Sequence, residues 1–207
     1  MNPKGPPEIA TAEARGNWAA SQFFRAMEEG GLGPGVQQID SGRVHGHGPL
    51  WGHSALLAIF ARAIHALRIV ELGTGTGIGT RAFMEACTHT GGHLWSVDKD
   101  PLPVQEMLRA DPRVTFVVSL TTEYAKQWSG SVDIVYVDAD HSAKSAEDDL
   151  EAWLVHSPRM FLMDDTMDLN TPHGSPLHAA EAFARRHGWT QWNIPLGTGL
   201  CVLLPGG

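Results

Sequence analysis

Arg68-Ile69-Val70-Glu71-Leu72-Gly73-Thr74-Gly75-Thr76-Gly77 is the stretch on which the fold turns. A short apolar run, rich in β-branched residues, carries one acid and then enters a turn with glycine at every second position. Arg81 to Ala86 follows with helical composition. Strand, glycine-rich turn and helix form the opening unit of a nucleotide-binding α/β sheet. Glycine lets the backbone bend sharply and approach a ligand with no Cβ in the way. The acid separates this turn from most dinucleotide turns. A carboxylate beside a pyrophosphate repels it, whereas one beside an amino group or a cationic sulfonium is attracted.

Outward from this unit the chain alternates. Strands are expected at 68–72, 93–98, 114–118, 131–138 and 159–164, with helices at 78–87, 102–109, 121–127 and 143–154 between them. Strands alternating with helices predict parallel βαβ units with right-handed crossovers. A helix over 176–187 has Ser175 as N-cap, Pro176 at its first position and Gly188 just past its end. Two closely spaced strands, 189–195 and 200–204, must then pair as an antiparallel hairpin. Upstream, Leu56, Phe60 and Ile64 mark an amphipathic helix over 54–67. Glu8 to Glu29 is helical in composition. Gly30 to Gly52 is a Gly- and His-rich loop, long enough to act as a lid. The chain divides into a helical segment with lid loop over 1–50 and one α/β domain over 51–207.

Composition narrows the partners. The 207 residues are 43% hydrophobic and 18% charged, in keeping with one folded domain. A net charge of -8 argues against nucleic acid, whose binding needs clustered Lys and Arg. No apolar run is long enough for a bilayer and the N-terminus lacks a secretory pattern, so a cytoplasmic location without membrane attachment is expected. Cys87 and Cys201 are expected to be free thiols.

Strand ends carry the chemistry, because ligands of open α/β sheets bind beyond the carboxyl ends of the strands. The second expected strand ends at Asp98, whose two oxygens suit a ribose diol. The third ends at Ser119-Leu120-Thr121, where hydroxyls could meet an adenine edge. The fourth ends in Tyr136-Val137-Asp138-Ala139-Asp140-His141 and the fifth in Met163-Asp164-Asp165-Thr166. Carboxylates converging there would repel unless a hard cation compensates, and Mg²⁺ prefers oxygen ligands. The plainer reading makes one or two of these acids helix caps. His45, His47 and His53 form a further cluster, better suited to a lid or substrate contact than to a closed metal site.

These motifs together resemble the class I S-adenosylmethionine-dependent methyltransferases, whose first motif reads E-x-G-x-G-x-G. The resemblance implies a Rossmann-like α/β fold, with a seven-stranded, mostly parallel sheet and a C-terminal antiparallel hairpin. It implies a cofactor site at Glu71, Gly73, Thr74, Gly75, Gly77, Thr80, Asp98, Ser119, Thr121 and Asp138. More narrowly, the acidic strand ends resemble the metal-dependent small-molecule O-methyltransferases, of the catechol and caffeoyl-CoA type and of antibiotic-pathway sugars. Those carry one Asp after the fourth strand and Asp-Asn or Asp-Asp after the fifth. Residue by residue this implies Mg²⁺ or Mn²⁺ on Asp138, Asp164 and Asp165. His141, three residues past the first of these, stands where the family places a base. Asp140 is a second catalytic candidate. Direct methyl transfer to a small-molecule hydroxyl (a sugar, a catechol or a natural product) is implied, by a homodimer. Rival readings are a metal-independent methyltransferase, a cephalosporin-hydroxylase-like oxidoreductase and an NAD-dependent dehydrogenase. The last has some support in the loose G-x-G-x-x-A of Gly77 to Ala82.

Overall fold

A computed structural model describes residues 51–167 and 174–206. The expected N-terminal helix, the lid loop, the side chains of Trp51 and His53, and the histidines at 45 and 47 lie outside the described residues. Within these, helix α1 (Trp51–Ala63) leads into strand β1 (Arg68–Leu72), followed by α2 (Ile78–Thr90), β2 (His93–Asp98), α3 (Pro103–Leu108) and β3 (Val114–Val118). Then come α4 (Thr121–Gln127), β4 (Ile134–Val137), α5 (Ala143–Leu154), β5 (Met160–Met163), α6 (Pro176–His187), β6 (Thr190–Ile194) and β7 (Leu200–Leu204).

Among the described residues the seven strands form one sheet in the order β3-β2-β1-β4-β5-β7-β6. The first five are mutually parallel, and β7 runs antiparallel to both β5 and β6. This is the expected class I architecture. Strand order reverses at β1, which has β2 on one side and β4 on the other, so the crevice between those strands is the expected ligand site.

Alternation along β1 sorts its side chains to the two faces of the sheet. Ile69 joins one buried cluster with Leu57 and Phe60 of α1, Phe83 of α2 and Tyr136 of β4. Val70 and Leu72 join the opposite cluster, with Leu150 and Trp153 of α5 and Phe183 of α6. Helices therefore cover both faces. The two cysteines are free and buried, Cys87 in the first cluster and Cys201 in the second.

Strand β4 is shorter than the expected 131–138, although the backbone of Asp133 still bonds to Arg68 and Met160 on either side. The Asp133 carboxylate accepts hydrogen bonds from the backbone N–H groups of Leu67 (2.8 Å) and Arg68 (3.0 Å). That ties the start of β1 to the edge of β4 through side chain as well as backbone. Helix α2 runs on to Thr90, ending at Gly91 in the left-handed conformation that ends many helices. Helix α6 begins after Ser175 and stops at left-handed Gly188, as the sequence pattern indicates.

Candidate active site

The glycine turn leaves the sheet between β2 and β4. Gly73 N–H donates to the Val97 carbonyl at 2.7 Å, and Asp138 N–H donates to the Leu72 carbonyl at 2.8 Å. The chain ends after β1 and β4 are so close that a Cβ on Gly73 would lie 2.1 Å from the Asp138 carbonyl oxygen. With φ of 95° as well, this position accepts glycine alone. The spacing of glycines thus reports backbone crowding at the edge of the site.

Glu71 points under the turn. It is 1% exposed, and its Oε2 accepts from the Thr80 hydroxyl (2.6 Å) and the Ser96 hydroxyl (2.5 Å). Ser96 also shares a hydrogen bond of 2.8 Å with Thr74. Burial pushes the Glu71 carboxyl up to about 8, against the pull of those two hydroxyls. Glu71 and Thr80 therefore brace the turn from beneath through buried side chains. Asp98 faces the other way. Its Oδ2 accepts from the N–H groups of Thr74 (3.0 Å) and Gly75 (3.4 Å), and its Oδ1 from Asp100 N–H at 3.1 Å.

A cleft of about 230 Å³ opens beside this turn, walled by Gly73, Asp98, Ser119, Thr121, Ala139 and Asp140, among others. Five of the expected site residues thus share one wall. Behind it, the Thr121 hydroxyl donates to Asp149 Oδ1 at 2.5 Å. Asp149 is 1% exposed, its Oδ2 has no hydrogen-bond partner, and burial pushes its carboxyl up to about 6. Asp140 accepts from Ser142 N–H at 2.9 Å just ahead of α5, and Ser142, through its hydroxyl first and then this backbone bond, holds the carboxyl below the usual range. It lines the cleft as an anchored acid, which suits a binding role better than proton transfer.

The second group lies at the ends of β4 and β5. Asp138, His141 and Asp165 bring ligand atoms within 4.8 Å of one another. His141 Nδ1 is 2.6 Å from Asp165 Oδ2, and that bond raises the imidazole above its ordinary value. Asp165 has a left-handed backbone, φ 54°. Such a conformation costs a non-glycine residue of order 1 kcal/mol and is often kept at functional sites. Asp164 stands behind this group. Its Oδ1 accepts from Asp165 N–H (2.7 Å) and the Thr198 hydroxyl (3.0 Å), and its Oδ2 from the Tyr136 hydroxyl (2.6 Å). The same phenol lies 3.2 Å from Asp138 Oδ2. Burial, and then the nearby charges of Asp164, Asp165 and Glu71, push the Asp138 carboxyl well above its ordinary range.

Such crowding fits a hard divalent cation. Asp138, Asp165 and the His141 imidazole bring their ligand atoms together, and Asp164 stands just behind them, held by the Asp165 N–H and the hydroxyls of Thr198 and Tyr136. The sequence singles out all four, with Asp138, Asp164 and Asp165 as the expected ion ligands, whereas the close group is Asp138, His141 and Asp165. It does not mark Tyr136, Thr198, Ser96 and Asp149, which lie behind the strand ends. Only the hydroxyls at 80 and 96, flanking a lone buried acid, offered a signal.

Comparison with known proteins agrees with this fold. Residues 70–163 match the family model described as "Methyltransferase domain". The chain is 30% identical over 125 residues to the O-methyltransferase hkm8 of Aspergillus hancockii, a match covering 54% of this chain and 47% of that protein. The chain thus spans about half the length of that relative. Among solved structures, it resembles the methyltransferase PaMTH1 of Podospora anserina, bound to S-adenosylhomocysteine. There the TM-score is 0.59 at 14% identity, over 100% of both chains. It also resembles the O-methyltransferase TomG of Streptomyces achromogenes, in complex with S-adenosylmethionine and involved in tomaymycin synthesis. That TM-score is 0.59 at 16% identity, over 84% of this chain and 90% of that one.

Fold, matched stretch and relative together show the resemblance to class I S-adenosylmethionine-dependent methyltransferases, and within them to O-methyltransferases. No helix among the described residues is long and apolar enough to cross a membrane.

Proposed function

We propose that this chain is an S-adenosylmethionine-dependent O-methyltransferase, acting on a small-molecule hydroxyl that lies next to another oxygen. In this reading Asp138, Asp164 and Asp165 hold one divalent cation, Mg²⁺ or Mn²⁺. The observation that carries it is the convergence of Asp138 and Asp165 with His141, with Asp164 next in the chain to Asp165 and Asp138 next to the Ala139 wall of the cleft. The names of hkm8 and TomG support oxygen as the acceptor atom, and TomG's part in tomaymycin synthesis supports a natural-product acceptor.

The cofactor supplies an electrophilic methyl, and the cation supplies positive charge that lowers the pKa of a nearby hydroxyl. The protein's own residues do the rest. Asp98 offers acceptors to the ribose, and Ser119 and Thr121 offer hydroxyls to the base from the far wall. Asp165 accepts from His141 Nδ1, which leaves Nε2 without a proton in the neutral ring. That nitrogen is suited to take the acceptor's proton. The work of the fold is positioning and electrostatics, with no covalent enzyme intermediate.

The test is release of S-adenosylhomocysteine from S-adenosylmethionine with a panel of catechol, glycoside and polyketide hydroxyls. Turnover with at least one acceptor should stop with a chelator and return with Mg²⁺ or Mn²⁺. His141→Ala should lower turnover by roughly 10²–10⁴-fold, the usual scale for loss of a general base, with cofactor affinity unchanged. Full turnover after chelation would remove the cation from the reaction. Unchanged turnover of His141→Ala would leave His141 as a loop anchor.

A further inference from the structure

Tyr136 sits two residues before Asp138, inside the sheet, and is 2% exposed. A tyrosine so deeply buried needs a partner for its hydroxyl. It finds two, and both are acids of the proposed cation site. The phenol donates to Asp164 Oδ2 at 2.6 Å and lies 3.2 Å from Asp138 Oδ2. These acids follow neighbouring strands, β4 and β5, so the one hydroxyl spans the gap between two strand ends.

The ring has little freedom. Phe83 of α2 packs edge-on against it, with centroids 5.5 Å apart and an interplanar angle of 63°. At the start of α2, a Cβ on Gly79 would lie 2.9 Å from Tyr136 Cε1 and 2.5 Å from Glu71 Oε1. The helix thus presses its backbone onto the ring. On the other side of Asp164, Thr198 from the β6–β7 turn and the Asp165 N–H hold the second oxygen. At least three donors aim Asp164, and of these Tyr136 is the one side chain fixed in the core.

We propose that Tyr136 is a positioning residue for the divalent-cation site, its buried hydroxyl setting the spacing and orientation of Asp164 against Asp138. The inference rests on the cation reading given above and extends it to a residue that would not itself touch the ion. Groups that orient metal-binding side chains without touching the metal commonly change affinity by 10–100-fold when removed. Without the hydroxyl, Asp164 loses the bond that ties it to β4.

The experiment is Mn²⁺ titration followed by electron paramagnetic resonance, on wild type, Tyr136→Phe and Phe83→Leu. Wild type should bind one Mn²⁺. Tyr136→Phe should bind it roughly 10–100-fold more weakly, with a changed spectrum for the bound ion. Its metal-free affinity for S-adenosylhomocysteine should stay within about twofold of wild type. Phe83→Leu loosens the same packing but keeps the hydroxyl, so it should lose stability and keep Mn²⁺ affinity. Equal Mn²⁺ affinity in wild type and Tyr136→Phe overturns the role of Tyr136 and leaves the cation reading standing. No Mn²⁺ binding by wild type overturns both. Equal loss in Phe83→Leu and Tyr136→Phe assigns the effect to packing and overturns the proposal. A second readout needs no variant at position 136. Adding Mn²⁺ to wild type should shift a tyrosine ring band in the infrared difference spectrum. The chain has two tyrosines, so the band should persist in Tyr124→Phe, and no tyrosine band at all contradicts the link.

Discussion

Asp149 and Glu71 are both about 1% exposed, yet burial acts on them in different company. Glu71 has two hydroxyls on one oxygen and sits where the turn needs a brace. Asp149 has one hydroxyl and an oxygen with no partner, an expensive arrangement for an ionised group. Its carboxyl is pushed from an ordinary 3.8 up to about 6. The folded form therefore keeps a proton that the unfolded form has already lost between those values. Its contribution to stability is full below about pH 4, falls as pH rises toward 6 and is gone above. At 1.36 kcal/mol per unit, the loss is about 3 kcal/mol. Asp149→Asn has no such titration. In denaturant melts, its stability relative to wild type should improve by about that amount between pH 4 and pH 7. A difference that stays flat across the range would show that Asp149 is solvated or paired in solution. At this scale the acids of the site were legible, because an acid at the carboxyl end of a parallel strand has few other uses. Tyr136 and Thr198 were not, because a hydroxyl's partner depends on which strand end lies opposite.

Helix α5 shows what holds an element in place. It buries Ala146, Asp149, Leu150 and Trp153, a spacing of three, one and three that keeps one face inward. On its outer face, Glu147 and Glu151 meet Arg186 of α6 at 2.6 and 2.5 Å. All three side chains are roughly a third to a half exposed, so solvent screens the attraction and ordering long side chains offsets it. Arg186→Ala should cost less than about 1 kcal/mol. Leu150 is fully buried between helix and sheet, and Leu150→Ala should cost about 2–5 kcal/mol. Urea unfolding of both variants checks the order, and a reversed ranking would mean that the ion pairs, not the core, dock α5 on its neighbours. Most elements could be read from periodicity and caps, with α4, α5, α6, β1, β2, β3 and β7 falling on the expected residues. The misjudged edges have local causes. At the two edges of β4, Asp133 and Asp138 still bond by backbone to Arg68 and Leu72, while their carboxylates turn to the start of β1 and to Tyr136.

The whole molecule is arranged around the reversal of strand order at β1. The glycine turn, Asp98, the hydroxyls of Ser119 and Thr121, and the acids after β4 and β5 come from five different strand ends, 71 to 165 in the chain, and the sheet brings them to one edge. That convergence was legible because parallel strands all present their carboxyl ends on the same side. The depth of Glu71 beneath the turn was not, since the pattern E-x-G-x-G-x-G does not say which way the acid points. In the proposed reading this edge takes S-adenosylmethionine and not a dinucleotide. Titration calorimetry of the chain with S-adenosylhomocysteine and with NAD, in the same buffer, tests it most directly. The account predicts one micromolar site for S-adenosylhomocysteine, weakened in Asp98→Ala by roughly 1.5–3 kcal/mol, the scale of a hydrogen bond to a charged group, and no comparable heat with NAD. NAD binding as tight as S-adenosylhomocysteine, or tighter, would contradict it.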